Sequence, residues 1–519
     1  MSYTLKDLVR RARVVNPDGV ALIADGGRLT WEGFESRVRS IAAALVARGL
    51  KAGDRVAIVG NTGPHYFEML FAALWAGGVV APINTRFAQR EIIHCLDDLD
   101  GVWLCADAQY LSVAEAVRPY AGQVHGLVFM GPGEAPAGYL PLSTLPPLPA
   151  DASDGPEPAA DDLAIICFTG GTTGLPKGVM LTHAQLLGGI NQMVATLRHM
   201  FAADVYLHAV PMFHLADLGF CIASVMTTCG NAFIDRFDLE QFVATCNRDS
   251  VTWTTLVPTM VRSLCLHLEQ TGQALPTLRG IMYGAAPMPA SVLEMAMRML
   301  PEVEFVQGYG LTEAVIAAML PAKYHTLDEQ GRRLLRSAGR PLHGVLISIQ
   351  DENDRQLPPE TYGEICVRSN SMMKGYWRRP DLTAKAIRNN WYHTGDGGYL
   401  DREGFLYIAD RVKDMIISGG ENVYPAEVEN ALYTHPAVSE AAVIGIADER
   451  WGEAVHAIVR CRSGESVAAD ALREHVRGQV AGYKVPKSIA FVSEPLPKTP
   501  VGKIDKAALR RATSPTPAN

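Results

Sequence analysis

Residues 168–179 read FTGGTTGLPKGV, a glycine-rich stretch that also carries three threonines, one proline and one lysine. Bare backbone N–H groups, hydroxyls and a single ammonium are the donors that phosphate oxygens accept from. The apolar run at 163–168 predicts a strand entering this loop, and 179–181 a second strand leaving it. Thr182 with Gln185 then predicts a capping box that opens the next helix. In a P-loop, GxxxxGK[ST], the helix starts directly after the lysine. Here Lys177 stands between Pro176 and Gly178, and the loop joins two strands, so that reading fails. A dinucleotide fingerprint is missing too: Gly308-Tyr-Gly310-Leu-Thr-Glu is the nearest match and lacks the last glycine.

Further motifs follow in a fixed order. They are Pro211-Met-Phe-His214, Tyr283-Gly-Ala-Ala-Pro287, Gln307-Gly-Tyr-Gly-Leu-Thr-Glu313, Trp391-Tyr-His-Thr-Gly-Asp396, Asp410-Arg-Val-Lys-Asp-Met-Ile-Ile-Ser-Gly-Gly-Glu-Asn-Val-Tyr424 and Pro497-Lys-Thr-Pro-Val-Gly-Lys503. With the glycine-rich loop, this series resembles the adenylate-forming superfamily of acyl-CoA synthetases, peptide-synthetase adenylation domains and firefly luciferase. The resemblance covers nearly the whole chain. Gly170 departs from it, standing where many members have serine, which shifts phosphate contacts toward backbone N–H and Thr169, Thr172 and Thr173.

The resemblance implies a two-step reaction. A carboxylate attacks the α-phosphorus of ATP, giving acyl-AMP and pyrophosphate; a thiol then displaces AMP to give a thioester. Two anions meet in the first step, so cations and fixed donors must surround the developing charge. By resemblance, Thr169, Gly170, Gly171, Thr172, Thr173, Gly174 and Lys177 hold the β- and γ-phosphates. Glu313 and Thr172 are the expected Mg2+ ligands, and Thr312 an α-phosphate contact. Tyr309, flanked by Gln307, Gly308 and Gly310, is expected against the adenine, with Gly284, Ala285 and Ala286 on its other face. Asp396 should accept the ribose hydroxyls and Arg411 add a ribose or phosphate contact. Lys503 is expected to enter the site for adenylation and to bridge carboxylate and α-phosphate. For the second step the C-terminal domain is expected to swing about a hinge at Lys413. Gly419 and Gly420 then replace Lys503 and leave room for a pantetheine arm.

His214 is placed as a pocket-wall or gating residue. Peptide-synthetase adenylation domains hold the substrate amino group with an aspartate shortly after the motif of residues 211–214; Asp217 is near but shifted, so an amino acid is disfavoured. The expected acyl pocket is His214, Leu215, Met282, Ala286, Gly308, Val315 and Ile316, with Gly308 leaving its floor open. Its apolar character favours a medium- or long-chain fatty acid, with an aryl- or alicyclic acid as the alternative. No carrier domain follows residue 519 in this sequence, so CoA is the expected acceptor, ahead of a carrier protein. A luciferase-type oxygenase would need a luciferin-shaped pocket. A dead scaffold would have lost Lys177, Glu313, Asp396 or Lys503, and all are present.

The surrounding elements match. Residues 36–50 form an amphipathic pattern ending near a glycine, followed by a strand at 55–60, a helix at 66–75 and a strand at 78–82. Alternating strands and helices predict an α/β fold with a largely parallel sheet. Residues 131–160 read as a surface loop, 335–410 as a β-rich region, and the chain from Lys413 as a compact α+β unit. The expectation is therefore a large N-terminal domain, 1–411, of layered α/β sheets plus a β-rich subdomain, and a small mobile α+β C-terminal domain, 412–519. A chain of 519 residues exceeds one ordinary core. A net charge of −8 argues against nucleic acid as partner. Nine cysteines without CxxC spacing argue against disulfides or zinc and fit a reducing, cytoplasmic setting. Thr4 with Asp7 predicts a surface helix rather than a signal peptide, and no run is long enough to span a membrane. Peripheral membrane contact and a homodimer both stay open.

Overall fold

The computed structural model describes residues 3–24, 27–120, 123–146, 148, 153–170, 175–197, 203–286, 288–411, 414–418, 421–448, 450–498 and 504–513. Two large sheets dominate the N-terminal part. One runs in the order Arg340–Pro341, Ala318–Leu320, Glu304–Tyr309, Gly280–Gly284, Trp253–Leu256, Val205–His208, Gly230–Phe233, Val20–Ala24, Gly27–Thr30. Its central strands are all parallel. The other runs Gly375–Tyr376, Lys177–Thr182, Leu163–Thr169, Val79–Pro82, Arg55–Val59, Val102–Ala106, Val124–Phe129, Leu140–Pro141. It is parallel except at the end formed by Lys177–Thr182 and Gly375–Tyr376.

The helices Pro64–Trp75 and Leu215–Thr227 are apolar on nearly every face, as expected for helices enclosed on all sides. Both belong to one core cluster that also takes in Val56, Ile58 and Val80 of one sheet and Tyr206, Trp253 and Met282 of the other. The predicted helix at 36–50 is longer at its front: it spans Trp31–Ala47, capped by Thr30 Oγ1 accepting from the Gly33 N–H. Both predicted capping boxes form, Thr4 with Asp7 and Thr182 with Gln185.

A third sheet, antiparallel, holds Val345–Gln350, Gly363–Ser369, Trp391–Leu400, Ile387–Arg388 and Leu406–Arg411. The smaller C-terminal part has its own sheet, Glu421–Val423, Ile416–Ser418, Gly452–Cys461, Val438–Asp448 and Ser488–Val492, over a separate core centred on Val428, Leu432, Val443 and Val455. All nine cysteines are free, and all but Cys461 are buried. No helix among the described residues is long and apolar enough to cross a membrane.

Candidate active site

In parallel α/β sheets, ligands gather at the carboxyl ends of the strands. Several of the predicted site residues lie there. Thr169 closes Leu163–Thr169, Gly284 closes Gly280–Gly284, Tyr309 closes Glu304–Tyr309, and Pro211–His214 follows Val205–His208. The glycine-rich loop does join two antiparallel strands, with Thr169 directly opposite Lys177. Gly171, Thr172, Thr173 and Gly174 lie outside the described residues, as do Gly419, Gly420, Lys413 and Lys503.

Lys177 and Glu313 meet. Lys177 Nζ lies 3.5 Å from Glu313 Oε1, and Glu313 is 7% exposed. The residue that joins them, Tyr376, was missed in the sequence. Its hydroxyl donates to Glu313 Oε1 at 2.8 Å and accepts from Lys177 Nζ at 2.5 Å, while the ammonium sits 3.8 Å from the ring centroid. Burial, with the Glu313 charge beside it, raises the Tyr376 hydroxyl's pKa well above the usual phenol range. The hydroxyl therefore keeps its proton for Glu313.

Backbone pairing puts Tyr376 there. Gly375–Tyr376 pairs with Lys177–Thr182, Trp377 N–H donates to Gly178 O at 2.7 Å, and Met373 N–H to Glu313 O at 2.8 Å. A Cβ on Gly178 would lie 2.7 Å from Ile166 Cγ2 of Leu163–Thr169 and 3.3 Å from Trp377 Cβ, so the packing on this side of Lys177–Thr182 favours glycine there. The one sequence signal was Gly375-Tyr376-Trp377, an aromatic pair behind a glycine in the β-rich region.

Tyr309 and Asp396 also meet, the Tyr309 hydroxyl donating to Asp396 Oδ2 at 2.8 Å. Asp396 pairs across its sheet with Arg411, both at backbone level. Gly284 and Gly308 are neighbours in register, and a Cβ on Gly284 would lie 2.3 Å from Gly308 O. The strands therefore approach closely beside Tyr309, with Ala285 at φ +64° turning the chain just beyond them. Thr169 Oγ1 and Gln307 Oε1 are two of several buried side-chain atoms without a hydrogen-bond partner among the described residues. Unsatisfied polar atoms of this kind at the strand ends fit a nucleotide that would satisfy them. Glu313 is a hard oxygen donor suited to Mg2+, which takes one or two carboxylates alongside substrate phosphates.

Val315 is strained: a β-branched residue at φ +60°, directly after the turn that carries Glu313. Gly310 permits that turn, since a Cβ there would lie 2.4 Å from Val315 O. The Val315 side chain fills a notch at Gly189 of the helix His183–Leu197, whose Cβ would lie 2.8 Å from Val315 Cγ1. The expected opening above Gly308 is filled. A Cβ on Gly308 would lie 2.3 Å from Met282 Cε and 3.5 Å from Ile316 Cδ1, so the methionine methyl rests on the glycine.

His214 caps the front of Leu215–Thr227 with its ring edge-on to Phe213, centroids 4.5 Å apart. Asp217 faces inward instead of toward a substrate. Fully buried, it takes His208 Nδ1 at 2.8 Å and the Tyr206 hydroxyl at 3.3 Å. It is committed within the core, which is why it offers nothing to a substrate ammonium.

The family model described as "AMP-binding enzyme" matches residues 9–377, and that described as "AMP-binding enzyme C-terminal domain" matches residues 427–503. A feruloyl-CoA synthase from an Amycolatopsis species is 37% identical over 97% of both chains. The long-chain-fatty-acid–CoA ligase FadD13 of Mycobacterium tuberculosis is 34% identical over 94% of both. Among solved structures, the amide bond synthetase McbA of Marinactinospora thermotolerans superposes with a TM-score of 0.89 at 27% identity, over 98% of this chain and 100% of that one.

Proposed function

The chain belongs to the family of AMP-binding enzymes as an adenylate-forming acid–thiol ligase, and we propose that it activates a compact aromatic carboxylic acid and transfers the acyl group to CoA. A carboxylate oxygen bonds to the α-phosphorus of ATP as the bond to pyrophosphate breaks. The CoA sulfur then bonds to the acyl carbon, AMP leaves, and the thiol proton is released. Lys177 draws phosphate charge, the Tyr376 hydroxyl holds the Glu313 carboxylate in place, and Asp396 receives the ribose hydroxyls. Magnesium held by Glu313 would neutralise phosphate charge. Lys503 is the cation for the first step, and a swing of the C-terminal domain, 412–519, about Lys413 opens the second.

The observation that carries the choice of acid is Met282. Its methyl rests on Gly308, with Ile316 on the same side, which supports a shortened acyl pocket and with it a flat, short acid. The feruloyl-CoA synthase relative agrees with that choice. A long-chain fatty acid is the second reading. Methionine has three rotatable bonds and swings aside cheaply, and FadD13 is also a relative. The McbA likeness raises an amine as acceptor.

The test is pyrophosphate release with acetate, butyrate, octanoate, palmitate, benzoate, a hydroxycinnamate and an alicyclic acid, each with and without CoA. The proposal expects CoA-dependent turnover, highest on an aromatic acid. Highest turnover on palmitate selects the fatty-acid reading. Pyrophosphate without thioester means that the acceptor is not CoA.

A further inference from the structure

Asp396 reaches Tyr309 from an interrupted strand. Where Gly363–Ser369 pairs with Trp391–Leu400, Glu364 faces Gly397 but Cys366 faces His393. Residues 394–396 therefore bulge out of the ladder, with Gly395 at φ +73°. A bulge beside a site re-aims a side chain, here the Asp396 carboxylate.

The Glu364 carboxylate sits behind this bulge. Its Oε1 accepts the Gly395 N–H at 3.0 Å, and its Oε2 lies 2.9 Å from His393 Nδ1. Thr394 closes the turn from within: its Oγ1 donates to Ile365 O at 2.7 Å and accepts the Asp396 N–H at 3.0 Å. Arg388 supplies the countercharge, with Nη2 3.9 Å from Glu364 Oε2 and 2.8 Å from Asp354 Oδ1. Glu364, Cys366 and His393 together have donor types that a metal ion takes. The Arg388 guanidinium, 2.8 Å from His393 Nδ1, already supplies a cation there, so the cluster is an ion-pair network.

We propose that Glu364 is a positioning residue for nucleotide recognition: it pins the bulge so that Asp396 presents its carboxylate to the ribose hydroxyls. The proposal rests on Asp396 being the ribose acceptor. A residue that merely stabilised the sheet would weaken all nucleotides alike. A residue that aims Asp396 loses only the part of binding that depends on the ribose hydroxyls.

The test compares ATP with 2′-deoxyATP and 3′-deoxyATP. Pyrophosphate release and calorimetric nucleotide binding without acid are both measured, on wild type, Glu364→Gln, Glu364→Ala and Thr394→Val, with thermal unfolding alongside. Glu364→Ala should lower the preference for ATP by about tenfold, the worth of one good hydrogen bond. Glu364→Gln still offers an oxygen to the Gly395 N–H and should keep most of that preference. Thr394→Val should move it in the same direction as Glu364→Ala. A wild type indifferent to the ribose hydroxyls removes the premise about Asp396 and the proposal with it. A discriminating wild type with an equally discriminating, folded Glu364→Ala overturns the proposal alone. If Glu364→Ala does not fold, Thr394→Val decides: unchanged preference overturns the proposal, and lost preference supports it.

Discussion

Tyr376→Phe is the sharpest probe of the cluster around Glu313. The substitution removes one oxygen and keeps the ring, so the cation–π contact at 3.8 Å from Lys177 survives. Two hydrogen bonds disappear, at 2.8 Å to Glu313 and 2.5 Å from Lys177. A hydrogen bond to a charged group contributes about 1.5–3 kcal/mol. The two losses differ in weight. The Lys177 side chain is 26% exposed, so water takes over much of its bond, whereas Glu313 at 9% has far less access to water. That leaves a net effect of about 2 kcal/mol, roughly thirtyfold in kcat/KM for ATP if the arrangement persists through adenylation. The assay is initial-rate pyrophosphate release against ATP concentration at saturating acid, with thermal unfolding as the control for folding. A kcat/KM within about twofold of wild type in a protein of unchanged stability would show that Tyr376 is not coupled to the phosphate-binding cation and the carboxylate.

Two other outcomes are expected. Met282→Ala removes the methyl that rests on Gly308; octanoate and palmitate should gain about tenfold in kcat/KM relative to benzoate, at a stability cost of about 2 kcal/mol, and an unmoved acid profile would place the pocket floor elsewhere. His183 is buried, its Nδ1 accepts the Leu5 N–H at 3.3 Å, and burial lowers its pKa from 6.5 to about 4. The folded protein resists a proton that the unfolded chain accepts, so stability should fall as pH drops from 6.5 toward 4, by about 3 kcal/mol; urea titrations across that window should show the loss, and His183→Gln should flatten it.

The residues within the local motifs were legible in the sequence because their chemistry is set by near neighbours. The strand–loop–strand around Lys177, the capping boxes at Thr4 and Thr182, and the alternation that makes an α/β fold all rest on spacings of a few residues. Asp217 shows where spacing stops being enough: its shifted place after Pro211–His214 only disfavoured an amino acid substrate, and the fold shows what it does instead, packing against His208 and Tyr206 in the core. Gly308 is similar. Glycine at the floor predicted an opening, and Met282 from the adjacent strand filled it.

What the sequence alone determined was the inventory: a phosphate loop that is not a P-loop, a carboxylate after a glycine turn, a tyrosine between glycines, and the order in which they occur. What the tertiary structure decided was which of these touch. Tyr376 reaches Lys177 across 199 residues of chain and Glu313 across 63, and Tyr309 reaches Asp396 across 87. Such pairings follow from strand register and from a bulge held by Glu364, which depend on how whole sheets pack and bury their faces. A one-residue slip of Gly375–Tyr376 against Lys177–Thr182 would turn Tyr376 away from Lys177, and no spacing within either strand says that these two, so far apart in the chain, pair at all.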